Sequence, residues 1–138
     1  IKKLNKNIIT RNKNFQFLKK FFSHYPQYFK LPETHKGVVT PWLAFPLVVI
    51  KNNEFDRKKL QIFFEKNNIQ TRTIFTGNIL KQPAMKGLKY KSQKDCSNIS
   101  DYAMKYGILL GCHHGMNNKD LTYITKVFLK FLKSKKII

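Results

Sequence analysis

Cysteine, arginine, acidic side chains and long apolar runs are all scarce in this 138-residue chain, and each scarcity closes off a class of function. Cys96 and Cys112 are the only cysteines, which makes no disulfide framework and fits a reducing, cytoplasmic setting. No stretch approaches the roughly 20 apolar residues of a membrane-spanning helix. The longest, "WLAFPLVVI" from Trp42 to Ile50, is interrupted by Pro46 and rich in β-branched and aromatic residues, as a strand is. The start shows no signal-peptide pattern. Only seven residues are acidic, and Asp56, Asp101 and Asp120 are better placed as helix caps or surface charges than as a carboxylate pair for acid–base chemistry. There is no glycine loop of the Walker or dinucleotide type.

Arginine is the most telling shortage. The formal net charge of +20 suggests a polyanion partner, yet of 27 basic residues only Arg11, Arg57 and Arg72 carry the planar fork that clamps phosphate and reads guanine. Lysine, asparagine, isoleucine and phenylalanine are all heavily used, and all four have adenine- and thymine-rich codons. Base bias therefore accounts for the lysines, which are expected on solvated faces, and a nucleic-acid-binding module is the disfavoured alternative.

What is present is a core. A hydrophobic content of 42% with 14% aromatics exceeds what a disordered chain of this charge carries, and the length suits a single domain over residues 1–138. The first residue is Ile1, so the chain is expected to be the back part of a longer protein. A leading helical segment falls within residues 1–30: Phe15, Leu18, Phe21, Phe22 and Tyr25 recur at helical spacing from about Leu4, up to Pro26. Trp42 to Ile50 reads as a strand that Pro46 should force to an edge or a bulge. Phe55 to Lys66 reads as a helix with Asp56 near its start, Ile69 to Phe75 as a second strand, Ser97 to Tyr106 as a short helix closed by Gly107, and "ILLGC" as a third strand. The terminal helix, 117–134, is the clearest: Leu121, Ile124, Val127, Phe128, Phe131 and Leu132 step by three and four behind an Asn117 or Asn118 cap. The order is α, β, α, β, α, β, α.

Three groupings could carry chemistry. Cys112, His113 and His114, with Cys96, His24 or His35, suggest a metal site, but consecutive residues of extended backbone point to opposite sides and no ligand spacing supports it. Cys112 beside a histidine suggests a nucleophile, but it ends an apolar run where a buried packing residue is expected. The third is the turn "FTGNILKQP". Thr76, Gly77 and Asn78 break the strand, and Asn78, Lys81 and Gln82 follow as donors suited to the hydroxyls and phosphates of a polar ligand. A plain turn, with Gly77 in an unusual conformation and Asn78 as a cap, explains the same residues equally well.

At "QTRTIFTGNILKQP", and less specifically at "RNKNFQFL", "FKLPE", "PWLAFPL", "SNISDYAMKYG" and "HGM", the chain resembles the C-terminal domain of the DegT/DnrJ-type, pyridoxal-phosphate-dependent sugar aminotransferases of fold-type I. It is most similar to the branch holding the CDP-4-keto-6-deoxyglucose 3-dehydratases. The resemblance runs from Arg11 onward. It implies an α/β (α+β) fold, a short, mainly antiparallel sheet backed by helices. It also implies a role facing nucleotide-linked keto-deoxysugars in cell-surface polysaccharide (lipopolysaccharide) biosynthesis, and a large cofactor-binding domain that is absent here. In the family that domain holds pyridoxal 5'-phosphate and supplies the Schiff-base lysine, or the histidine that replaces it in the dehydratases.

No catalytic, cofactor-binding or metal residue is therefore assigned in this chain, which is expected to be inactive alone. Asn78, Lys81 and Gln82 match the family's polar, substrate-facing turn, although relatives often have arginine where Lys81 stands. Arg72 matches a Thr-Arg pair that could meet a phosphate, and His113 and His114 lie at the mouth of the implied site. Trp42 is expected in the core. The implied partners are a nucleotide-sugar, the missing N-terminal domain or a partner chain, and a homodimeric assembly, with no membrane. A non-catalytic remnant of the family is the other alternative.

Overall fold

The computed structural model describes residues 2–75, 77–91 and 96–137, the side chains of Cys96 and Ser97 excepted. Among these residues four helices, α1 (Leu4–Phe22), α2 (Arg57–Lys66), α3 (Cys96–Tyr106) and α4 (Asn118–Ser134), accompany four strands: β1 (Phe29–Lys30), β2 (Ala44–Val49), β3 (Thr71–Arg72) and β4 (Gly107–Gly111). The strands form one antiparallel sheet in the order β1-β2-β4-β3.

The helices begin where their chemistry directs. The Asp56 carboxylate accepts the Lys59 N–H at 2.7 Å and starts α2. At α4, Asn117 accepts from the Lys119 and Asp120 N–H groups while Asp120 accepts the Asn117 N–H at 2.8 Å, a reciprocal capping box. α1 ends at Phe22, before the expected Tyr25, and two short 3-10 turns, Ile79–Lys81 and Pro83–Met85, lie in the segment after β3.

Alternation divides the sheet into two unlike faces. Phe45, Leu47, Val49, Ile108 and Leu110 are buried with Phe15, Leu18, Phe22, Leu60, Phe64, Phe128 and Phe131 in one hydrophobic core. The intervening Ala44, Pro46, Val48 and Leu109 are only half-buried. α3 crosses part of this second face, where the Lys30 ammonium lies 5.5 Å from the Tyr102 ring centroid. The rest of that face is open.

β1 falls in the segment between the first helix and Trp42, where two residues are too few to show a periodicity. Two strand expectations need correction. β2 lies between β1 and β4 and carries no bulge at Pro46, which stands in register opposite Leu109. It tolerates proline because β1 pairs only with Val48 and Val49, so among the described residues no strand pairs with Pro46 on that side. The strand expected over Ile69 to Phe75 shrinks to Thr71 and Arg72, because the Ile74 side chain crosses over Gly107, where a Cβ would overlap it, and the chain turns away from β4. Thr76 lies outside the described residues.

β3 is pinned from outside the sheet. One Glu65 carboxylate oxygen accepts both the Thr71 Oγ1–H at 2.7 Å and the Thr71 N–H at 2.6 Å, and these bonds, the side-chain one first, hold the Glu65 carboxyl below the usual 4.5. A depressed folded value stabilises above the unfolded pKa and loses that contribution as pH falls through the folded one. Glu65→Gln should therefore lower the urea midpoint at pH 7 and narrow the gap to wild type at pH 3. A gap that stays constant between those pH values would rule this out.

Candidate functional site

The open part of the second sheet face, the β3 tip and the turn after β4 enclose a groove of about 1330 Å³. Trp42, Leu43, Pro46, Phe75 and Met116 supply apolar lining, and Arg72, His113 and Asp120 are the only titratable side chains there among the described residues. Among the described residues no lysine lines it, in a chain where all but three of 27 basic residues are lysine. Aromatics, methionine and arginine without lysine is the composition of a surface that another protein surface or a ligand covers. Lysines instead lie exposed on the outer sides of α1 (Lys6, Lys13, Lys20), α2 (Lys58, Lys59, Lys66) and α4 (Lys126, Lys130, Lys133).

The expected site residues fall into three places. Arg72 and His113 line the groove. Arg72 is exposed and has no ion-pair partner among the described residues. Asn78 and Lys81 lie outside the groove lining and converge on Asp101 of α3. The Asn78 amide donates to Asp101 Oδ1 at 2.8 Å, and its oxygen accepts the Leu80 N–H at 3.0 Å, so both ends of this buried side chain are engaged. Lys81 Nζ meets Asp101 Oδ2 at 2.6 Å. Lys81 first and then Asn78 hold the Asp101 carboxyl below its ordinary value. Gln82 follows as the residue between the two 3-10 turns, half-buried and also outside the groove lining. His114, exposed, accepts from Arg11 Nε at 3.4 Å.

The histidine turn is held from α1. Asn14, buried on the apolar side of that helix, donates to the His113 carbonyl at 2.9 Å and reaches that of Met116 at 3.4 Å. The Gly115 N–H donates to His113 Nδ1 at 3.2 Å, which leaves the proton of a neutral imidazole on Nε2, directed away from its own turn. Asn14 and Asp101 are the positions that sequence reasoning missed. A lone asparagine among Phe15, Leu18 and Phe22 is the signal that could have exposed the first; nothing local marks the second.

Cys112 is buried and its thiol lies 3.7 Å from the Trp42 carbonyl. Burial pushes it up to about 11, against a smaller opposite pull from Arg11, which suits packing rather than nucleophilic attack. Trp42 stacks on Phe15 with centroids 4.2 Å apart and 6° between planes, so one side packs on the core while the residue also borders the groove. Among the described residues no three His, Cys, Asp or Glu side chains gather as metal ligands, and the side chain of Cys96 lies outside that description. No described helix is long and apolar enough to cross a membrane.

Residues 1–129 match the DegT/DnrJ/EryC1/StrS aminotransferase family. The lipopolysaccharide biosynthesis protein RfbH of Salmonella typhimurium is 27% identical over 121 residues, which cover 88% of this chain and 28% of that protein. The Escherichia coli GDP-4-keto-6-deoxy-D-mannose-3-dehydratase, solved with bound hydrated PLP, superposes with a TM-score of 0.81 at 26% identity over 91% of this chain and 32% of that one. The aminotransferase from Psychrobacter cryohalolentis has a TM-score of 0.82 at 10% identity, a likeness of fold alone. The chain thus spans about a third of the length of the relatives it matches. PLP itself, which forms imines with lysine, finds no amine among the described residues of the groove lining, which therefore do not fit its covalent seat. The half-open sheet, the helical layer behind it and the match over residues 1–129 make this chain a member of the DegT/DnrJ/EryC1/StrS aminotransferase family.

Proposed function

We propose that this chain is the C-terminal, sugar-facing unit of a PLP-dependent enzyme that aminates or dehydrates a nucleotide-linked keto-deoxysugar. It works against a separate cofactor-holding unit, in-frame or in trans, and is inactive without it. The observation that carries this reading is the groove: broad, apolar and, among the described residues, free of lysine on one side of a very basic domain. The relatives' names support the chemistry, since the proteins this chain matches over about a third of their length or less include nucleotide-sugar 3-dehydratases. In that assembly Arg72 and His113 face substrate across the groove. Asn78, Lys81 and Gln82 shape the turn beside it, and His114 with Arg11 forms its outer rim. Lysines spread over three helices favour base bias over a nucleic-acid stripe.

The test is the coding sequence immediately upstream. It is expected to encode a PLP-binding unit with a Schiff-base lysine for an aminotransferase, or a histidine in its place for a dehydratase. Co-expressed with that unit, the chain should restore turnover of a nucleotide-linked 4-keto-6-deoxysugar, and alone with added PLP it should give none. The absence of any such unit, in frame or as a neighbouring gene, would overturn the proposal.

A further inference from the structure

Phe75, just past β3, is 80% exposed, the highest value among the large apolar side chains described. Its backbone has φ +43°, in the left-handed region that bulky residues rarely occupy. Such a conformation persists only where its surroundings over-determine it. Here Thr73 Oγ1–H donates to the Phe75 carbonyl at 3.2 Å, the Gly77 N–H donates to the Ile74 carbonyl at 3.0 Å, and Gly77 is seated against Met104 of α3. A strained backbone thus presents the Phe75 ring to solvent, with no ring partner among the described residues. Three residues earlier Arg72 lines the same groove, exposed and without an ion-pair partner among the described residues.

We propose that Phe75 is a stacking platform for the base of a nucleoside diphosphate, with Arg72 meeting the diphosphate. This rests on the nucleotide-sugar reading above and adds to it the residues that grip the nucleotide. An aromatic face binds any base by its π-surface, and a guanidinium pairs with phosphate through two parallel hydrogen bonds. The spacing keeps the two Cα atoms within about 10 Å of each other, the scale of a nucleoside diphosphate. A protein surface would also cover Phe75, but the unpaired Arg72 beside it favours an anionic ligand.

The experiment is a ¹H–¹⁵N NMR titration of the 138-residue chain with guanosine diphosphate, cytidine diphosphate and inorganic pyrophosphate. Both nucleotides should shift the Arg72 and Phe75 signals and bind at least tenfold tighter than pyrophosphate. Phe75→Ala should weaken both nucleotides at least tenfold and leave pyrophosphate within twofold, whereas Arg72→Ala should weaken all three. Phe75→Gly relieves the backbone strain, so it should lose nucleotide binding to the same degree while unfolding no earlier than wild type, which separates the ring's role from folding. Equal nucleotide affinity in wild type and Phe75→Ala would overturn the platform. Nucleotide shifts at Arg72 or His113 that bypass Phe75 would overturn it and leave the nucleotide-sugar reading standing. No nucleotide shift at all would also overturn it, and that reading is then decided separately by turnover of the reassembled enzyme. If the cofactor-holding unit protects the Phe75 ring while nucleotides leave it unmoved, the ring belongs to a protein interface instead.

Discussion

Phe128→Ala should destabilise the domain by about 3–5 kcal/mol, the usual cost of emptying a fully buried aromatic site. Phe128 is 0% exposed and is the hub of the aromatic core. Its ring meets those of Phe22 at 5.3 Å, Tyr25 at 5.0 Å, Phe29 at 5.5 Å and Phe21 at 6.0 Å, mostly edge-on or tilted, the arrangement that ring quadrupoles favour. These partners belong to α1, the turn after it and β1, so one side chain of α4 ties down the segment that ends at Lys30. Small domains are stable by only about 5–15 kcal/mol, and the loss would leave little of the cooperative transition. Urea unfolding followed by fluorescence of Trp42, the only tryptophan, measures it, because Trp42 stacks on Phe15 of the same core. Phe17→Ala is the control: Phe17 is 39% exposed on α1, and its removal should change stability by no more than about 0.5 kcal/mol. A Phe128→Ala loss below about 1 kcal/mol would refute this account of the core.

What the sequence made legible follows the range of the interactions concerned. Helices α1, α2 and α4 show in apolar residues three and four apart, and the caps at Asp56 and Asn117 lie within three residues of what they cap. The resemblance to the family supplied the antiparallel sheet, which no periodicity could have specified. Features set by distant partners stayed hidden. Pro46 looked like an edge or bulge residue because nothing local reveals that β1 stops two residues short of it. Ile69 to Phe75 alternates like a strand, and only Gly107, far along the chain, shows where Ile74 leaves the sheet.

The candidate site divides in the same way. Its turn was visible as "TGNILKQP", but the partner that organises Asn78 and Lys81 is Asp101, on the following helix. The clamp on the histidine turn is Asn14, 99 residues before His113. The residues read as ligand donors are thus partly spent on architecture. Arg72 and Phe75 are left facing the groove, the second of them a residue whose strain no sequence pattern displays.

Gly77 is where that architecture is most exposed to a single change. Its φ is +67°, and a Cβ built on it would overlap the Cβ, Cγ and Cα of Met104 in α3. Gly77→Ala therefore meets two separate costs: about 1–2 kcal/mol for an L-residue in the left-handed region, and about 1–3 kcal/mol for overpacking against a helix whose backbone must shift. The sum, about 2–5 kcal/mol, rivals the loss of a core aromatic although the residue carries no side chain. A double-mutant cycle with Met104→Ala separates the two. Met104 is 40% exposed, so its truncation alone should cost little, and in the Gly77→Ala background it should recover part of the overlap cost and none of the backbone cost. The remainder should persist, because Met104 Cβ and Cα, which alanine keeps, still overlap the added methyl position, the Cα at 2.9 Å and the Cβ closer. Urea midpoints of the four proteins measure the coupling. Additive effects would mean that the outer Met104 side chain, from Cγ onward, does not press on the turn.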